Sequence, residues 1–116
     1  MGTEGHSVNG IDTGSLVIVN CGNPREKMWG YVVRLDTSGV VVRGLEIESM
    51  DDWLRQERSG GEQLIGPSTF FVPMHRVVRI DLDESRGALE SFADRFRAAC
   101  GRDVRDVLLD RDGSAE

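Results

Sequence analysis

Residues 27 to 47, KMWGYVVRLDTSGVVVRGLEI, constrain the fold more than any other stretch of this chain. DTSG at 36 to 39 is a tight turn between two runs rich in β-branched residues, so residues 40 to 47 return antiparallel beside residues 27 to 35. In the first run Trp29, Tyr31, Val33 and Leu35 share one face, and Met28, Gly30, Val32 and Arg34 share the other. An interior glycine such as Gly30 marks a sharp bend or a close backbone approach. In the second run Val40 and Val42 have one parity, Leu45 and Ile47 the other. A β-bulge at Arg43 and Gly44 is therefore expected, since it keeps all four side chains on one side. Two bends in consecutive strands predict a strongly curved sheet, as in a small barrel.

The rest of the chain supplies three more strands and the helices. GSLVIVNC (14 to 21) reads as a first strand, closed by the turn-forming GNPREK at 22 to 27. SMDDWLRQERSGG (49 to 61) changes period and predicts an inserted helix over about 49–59. Ser49 is its expected N-cap, Asp51 and Asp52 occupy its first turn, and Gly60 and Gly61 end it. Strands four and five are expected over about 68–72 and 76–82, with Val78, Ile80 and Leu82 inward and Arg79 and Asp81 outward. Pro73 cannot donate to a ladder and so ends the fourth strand, leaving MHR for one 3₁₀ turn before the fifth. Asp83 is the expected N-cap of a C-terminal helix whose stripe is Leu89, Phe92, Ala93, Phe96 and Ala99 or Cys100, ending at Gly101. Val104, Val107 and Leu108 predict a final short helix. The expected organisation is a disordered tail over 1–13, a barrel over 14–82, a helical segment over 83–110 and a disordered end over 111–116.

Five short, bent, antiparallel strands with a 3₁₀ link between the last two resemble the SH3-like small barrels, and the Sm-like (LSm) branch in particular. MWGYVVRL followed by SGVVVRGLEI looks like the first Sm motif, and STFFVPMHRVVRIDL looks like the second. The resemblance covers residues 14 to 82 and implies a five-stranded small barrel; the family's N-terminal helix is missing, and the inserted and C-terminal helices read from the residues make the expected fold mainly β with α additions. The resemblance also implies RNA contacts in the loop between strands two and three and in the turn between strands four and five. The first of these loops keeps Asp36 without the family's asparagine, and the second supplies His75 and Arg76. Arg25 and Lys27, in the loop between strands one and two, complete a set of RNA- or partner-binding candidates at one end of the barrel.

Composition narrows the functional classes. The chain has 116 residues, enough for one modest core, and a net charge of −6, which gives no bulk support to nonspecific nucleic-acid or membrane binding. Thirteen of its fourteen basic residues are arginine. Cys21 and Cys100 lie far apart without CxxC spacing, His75 has no second histidine within the folded region, and no acidic calcium loop or Walker pattern occurs, so no metal or cofactor is expected. With neither an apolar span of about 18 residues nor a secretory leader, a cytoplasmic protein is expected. Several strands are apolar on both faces, and a barrel interior covers only one of them. The leading expectation is a non-enzymatic interaction or assembly module, self-associating as a homo-oligomer or binding a protein partner. The alternative is an Sm-like RNA-binding regulator. A hydrolase built on Cys21 or His75 is the third class.

Overall fold

A computed structural model describes residues 10–109 of the chain. Five strands, β1 (Leu16–Cys21), β2 (Glu26–Asp36), β3 (Gly39–Glu46), β4 (Ser68–Pro73) and β5 (Val77–Leu82), form one antiparallel sheet in the order β4-β3-β2-β1-β5. The sheet is open, with β4 and β5 as its edges. A 3₁₀ turn (Ile47–Ser49) leads from β3 into α1 (Met50–Ser59), and a second (Met74–Arg76) joins β4 to β5. Helices α2 (Phe92–Cys100) and α3 (Val104–Leu109) follow. No described helix is long and apolar enough to cross a membrane.

Both faces of the sheet are buried, by different means. Val17, Val19, Cys21, Val32, Val40, Val42 and Val72 form an inner cluster, with Phe70, Val77, Ile80 and Leu82 packed against it. These side chains come from all five strands, both edges included, so the sheet curls until one face packs on itself. The opposite face carries Leu16, Trp29 and Leu45, which the helices cover with Met50, Trp53, Phe96, Val104 and Leu108. Trp53 stacks on Phe96 with ring centres 5.1 Å apart, and Trp29 sits 6.3 Å from both Trp53 and Phe92. Offset and tilted rings at such separations suit the aromatic quadrupole. The doubly apolar strands β1, β2 and β3 are thus largely covered within the chain, whereas Phe71 on β4 stays half exposed.

That double burial corrects the expected bulge in β3. The ladder runs unbroken through Tyr31 opposite Arg43, Gly30 opposite Gly44 and Trp29 opposite Leu45. Val40 and Val42 face the inner cluster while Leu45 faces the helices, so the change of parity is a change of face. The irregularity lies in β2, where Val32 pairs with Val42 and Arg34 with Val41, leaving Val33 as the extra residue. Trp29 and Tyr31 therefore face the helices, Val33 is exposed, and Leu35 packs against the inner cluster. Gly30 and Gly44 face each other across the ladder in a close backbone approach. A Cβ on Gly44 would fall on the Trp29 carbonyl and 2.6 Å from the Gly30 Cα, so only paired glycines permit this approach.

Other boundaries move for local reasons. A register shift beside Cys21 turns Val77 inward and leaves Val78 70% exposed, instead of Val78 inward. Ser49 belongs to the 3₁₀ turn and makes no side-chain cap; Gly60 ends α1 in the left-handed conformation at φ 73°. Helix α2 starts at Phe92, not just after Asp83, and Leu89 lies outside it, 74% exposed. Its N-cap is Ser91, whose hydroxyl accepts from the Asp94 amide at 3.0 Å. Asp83 serves the same helix end from a distance, accepting from the Phe92 amide at 2.9 Å and the Ala93 amide at 3.1 Å, and also from the Trp29 indole at 3.0 Å. Within the expected tail, Ile11 packs against the inner cluster. Residues 1–9 and the end over 110–116 lie outside the described residues.

Candidate functional site

The Met74–Arg76 turn is the hub of the expected rim. Pro73 closes β4 in an extended conformation, and the Met74 amide donates to the Ser38 carbonyl at 2.9 Å, tying the turn to the β2–β3 hairpin. On its other side the Gly22 amide donates to the Arg76 carbonyl at 2.9 Å, tying it to the β1–β2 loop. His75 and Arg76 therefore lie between the two loops that hold Asp36 and Arg25.

The five candidate side chains do different work. Arg76 donates to the Gly22 carbonyl at 3.1 Å, the Pro24 carbonyl at 2.7 Å and the Glu26 carboxylate at 3.1 Å. It is a clamp on the β1–β2 loop, with its fork already engaged. Asp36 accepts from the Ser38 hydroxyl at 2.6 Å and the Ser38 amide at 2.9 Å, and pairs with Arg34 at 3.2 Å. The Ser38 hydroxyl, then its amide, holds the Asp36 carboxyl below the usual carboxylate range. Asp36 is a turn former here, stabilising its own hairpin.

Arg25, Lys27 and His75 are exposed, and among the described residues none of the three has a side-chain hydrogen bond or ion pair. Arg25 and Lys27 stand between two shallow clefts. One, of about 420 Å³, is lined by Arg25, Glu26, Lys27, Glu46, Ile47 and Glu48; the other, of about 480 Å³, runs from Asn20 past Asn23 to Val78. The first cleft places three carboxylates beside two cations, a poor cradle for a polyanion. Sequence reasoning missed the neighbouring polar group on β1 and β5. Asp81 accepts from Arg79 at 3.0 Å and from the Asn20 side-chain Nδ2 at 3.0 Å, and the Arg79 bond chiefly holds its carboxyl low. The outward alternation of Arg79 and Asp81 was the available signal, but it did not reveal Asn20 across the ladder.

Nucleophilic chemistry finds little footing in Cys21. The side chain is buried in the inner cluster, and burial pushes its thiol up, against a smaller opposing pull from Arg76. An activated cysteine needs the reverse, an exposed and lowered thiol. Alkylation with iodoacetamide in native buffer is expected to modify Cys100 at least tenfold faster than Cys21, with both reacting equally in denaturant; peptide mass mapping reads the ratio. Among the described residues no group of three His, Cys, Asp or Glu side chains could hold a metal ion.

The remaining surface feature is β4. Its sequence, STFFVP, carries no charge, and among the described residues only β3 pairs with it. Phe71, opposite Val41, is 50% exposed, and α3 packs mainly on β2 and β3. The other edge is built differently: β5 carries Arg79 and Asp81 and an irregular register beside Val78. Comparison with known protein families, with curated proteins and with solved structures finds no match for the chain.

Proposed function

We propose that this chain is a non-enzymatic protein-interaction module, an SH3-like or Sm-like small barrel in architecture, that associates through the free edge of its sheet. The observation that carries this reading is β4: six residues without charge, a half-exposed phenylalanine, and an outer row of backbone donors and acceptors that no other described strand pairs with. Such an edge is a template for another strand unless charge, a bulge or a covering element blocks it. The barrel reading draws support from the strand order, the close glycine pair between β2 and β3, the inner cluster shared by both edge strands, and the 3₁₀ turn joining them.

The RNA-binding alternative has less in its favour. Arg76 and Asp36 are engaged within the chain, and the exposed cations at Arg25 and Lys27 have Glu46 and Glu48 beside them. Light scattering on a gel-filtration column, with absorbance at 260 and 280 nm across the same peak, separates the readings. An assembly module gives a mass above 12.8 kDa and a protein-like ratio. A nucleic-acid ratio that falls as salt rises would favour the RNA regulator instead.

A further inference from the structure

Resting on the interaction-module reading, we infer that the occupant of the β4 edge is the β4 strand of a second copy, paired antiparallel about a two-fold axis. The two edges of the sheet are not equivalent, and the difference selects the partner. Along β5, Arg79 and Asp81 are charged, and the register breaks beside Val78, two devices that deter an incoming strand. Along β4 the residues Ser68 to Val72 are uncharged, β-favouring and regular in register against β3.

A head-to-tail contact would have to seat β4 on the bulged, charged β5 edge. A two-fold contact seats β4 on β4 and opposes no charged side chains of that strand. Phe71 lies on the same face in both copies, so the pairing brings the two rings opposite or diagonal to one another across the new ladder. That contact buries an aromatic side chain that is half exposed in the single chain. The curled sheet then continues from one copy into the next, and β5 remains the free edge of each.

The test is the solution mass of the full chain and three variants, across micromolar to millimolar concentration. Expected for the native chain is twice 12.8 kDa. Phe71→Lys and, independently, Thr69→Lys on the same edge are expected to halve that mass while leaving far-ultraviolet circular dichroism unchanged. Val78→Lys on the opposite edge is expected to leave the dimer intact. Two exposed positions on β4 guard against one variant failing to fold. An oligomer that survives both β4 changes and dissociates with Val78→Lys overturns the β4 pairing and leaves the assembly reading standing. Larger species lost with changes at either edge mean head-to-tail pairing, which also overturns the two-fold. A native monomer at every concentration, with no strand partner recovered by cross-linking, overturns both.

Discussion

Gly44→Ala is expected to cost about 4 kcal/mol, placing it among the largest single-residue effects this domain can show. The added Cβ would meet backbone, the Trp29 carbonyl and the Gly30 Cα, and no rotamer relieves a clash with main chain. The β2–β3 ladder must open there, which separates Trp29 from Leu45 on the helix side and disturbs Val32 and Val42 on the inner side. In a domain of this size about 4 kcal/mol corresponds to roughly 15–30 °C of melting temperature. Scanning calorimetry of Gly44→Ala against the native chain checks the magnitude. Gly60→Ala serves as the contrast: open space surrounds that position, and only its positive φ resists, so a loss of about 1 kcal/mol is expected. Equal effects at the two sites would mean that the close approach of the glycine pair does not set the cost.

Asp83→Ala is expected to lose about 3 kcal/mol, from a single carboxylate that serves two layers. It leaves the Trp29 indole without its acceptor, and Trp29 is fully buried, so water cannot replace the bond. It also strips two amides at the start of α2, worth about 1 kcal/mol as a lost cap. A urea titration should show the midpoint falling with the slope unchanged. Asp83→Asn retains one acceptor oxygen and should recover part of the loss. Trp53 supplies an internal comparison, because its indole nitrogen is buried without a hydrogen-bond partner among the described residues, so Trp53→Phe removes packing and no bond.

The strands were legible because turn residues bound them: Gly22 to Arg25 separate β1 from β2, Asp36 to Gly39 close the next hairpin, and Pro73 ends β4. Face assignment was not, and the reason is physical. Alternation identifies a core side only when the other side is polar, and here Ile18, Trp29, Tyr31 and Leu45 are as apolar as Val17, Val32 and Val42. A parity change at Leu45 therefore looked like a bulge when it was a second core. The start of α2 was hidden because Asp83 and Ser91 both cap it, one across space and one in sequence. For the rim, residue type pointed to Arg76 as a ligand-binding group, whereas its fork closes on carbonyls 52 and 54 residues away, a pairing no local pattern encodes.

The double-faced sheet also sets an order on folding. Residues 16 to 45 contain the strands that make the inner cluster's centre, yet Trp29, Leu16 and Leu45 wait for Phe96, Val104 and Leu108, more than fifty residues further along. A species with its strands paired and its helices undocked would present the apolar face of Leu16, Ile18, Trp29, Tyr31 and Leu45 to its surroundings, the kind of surface that promotes aggregation. Helix docking, and not strand pairing alone, is what closes that face.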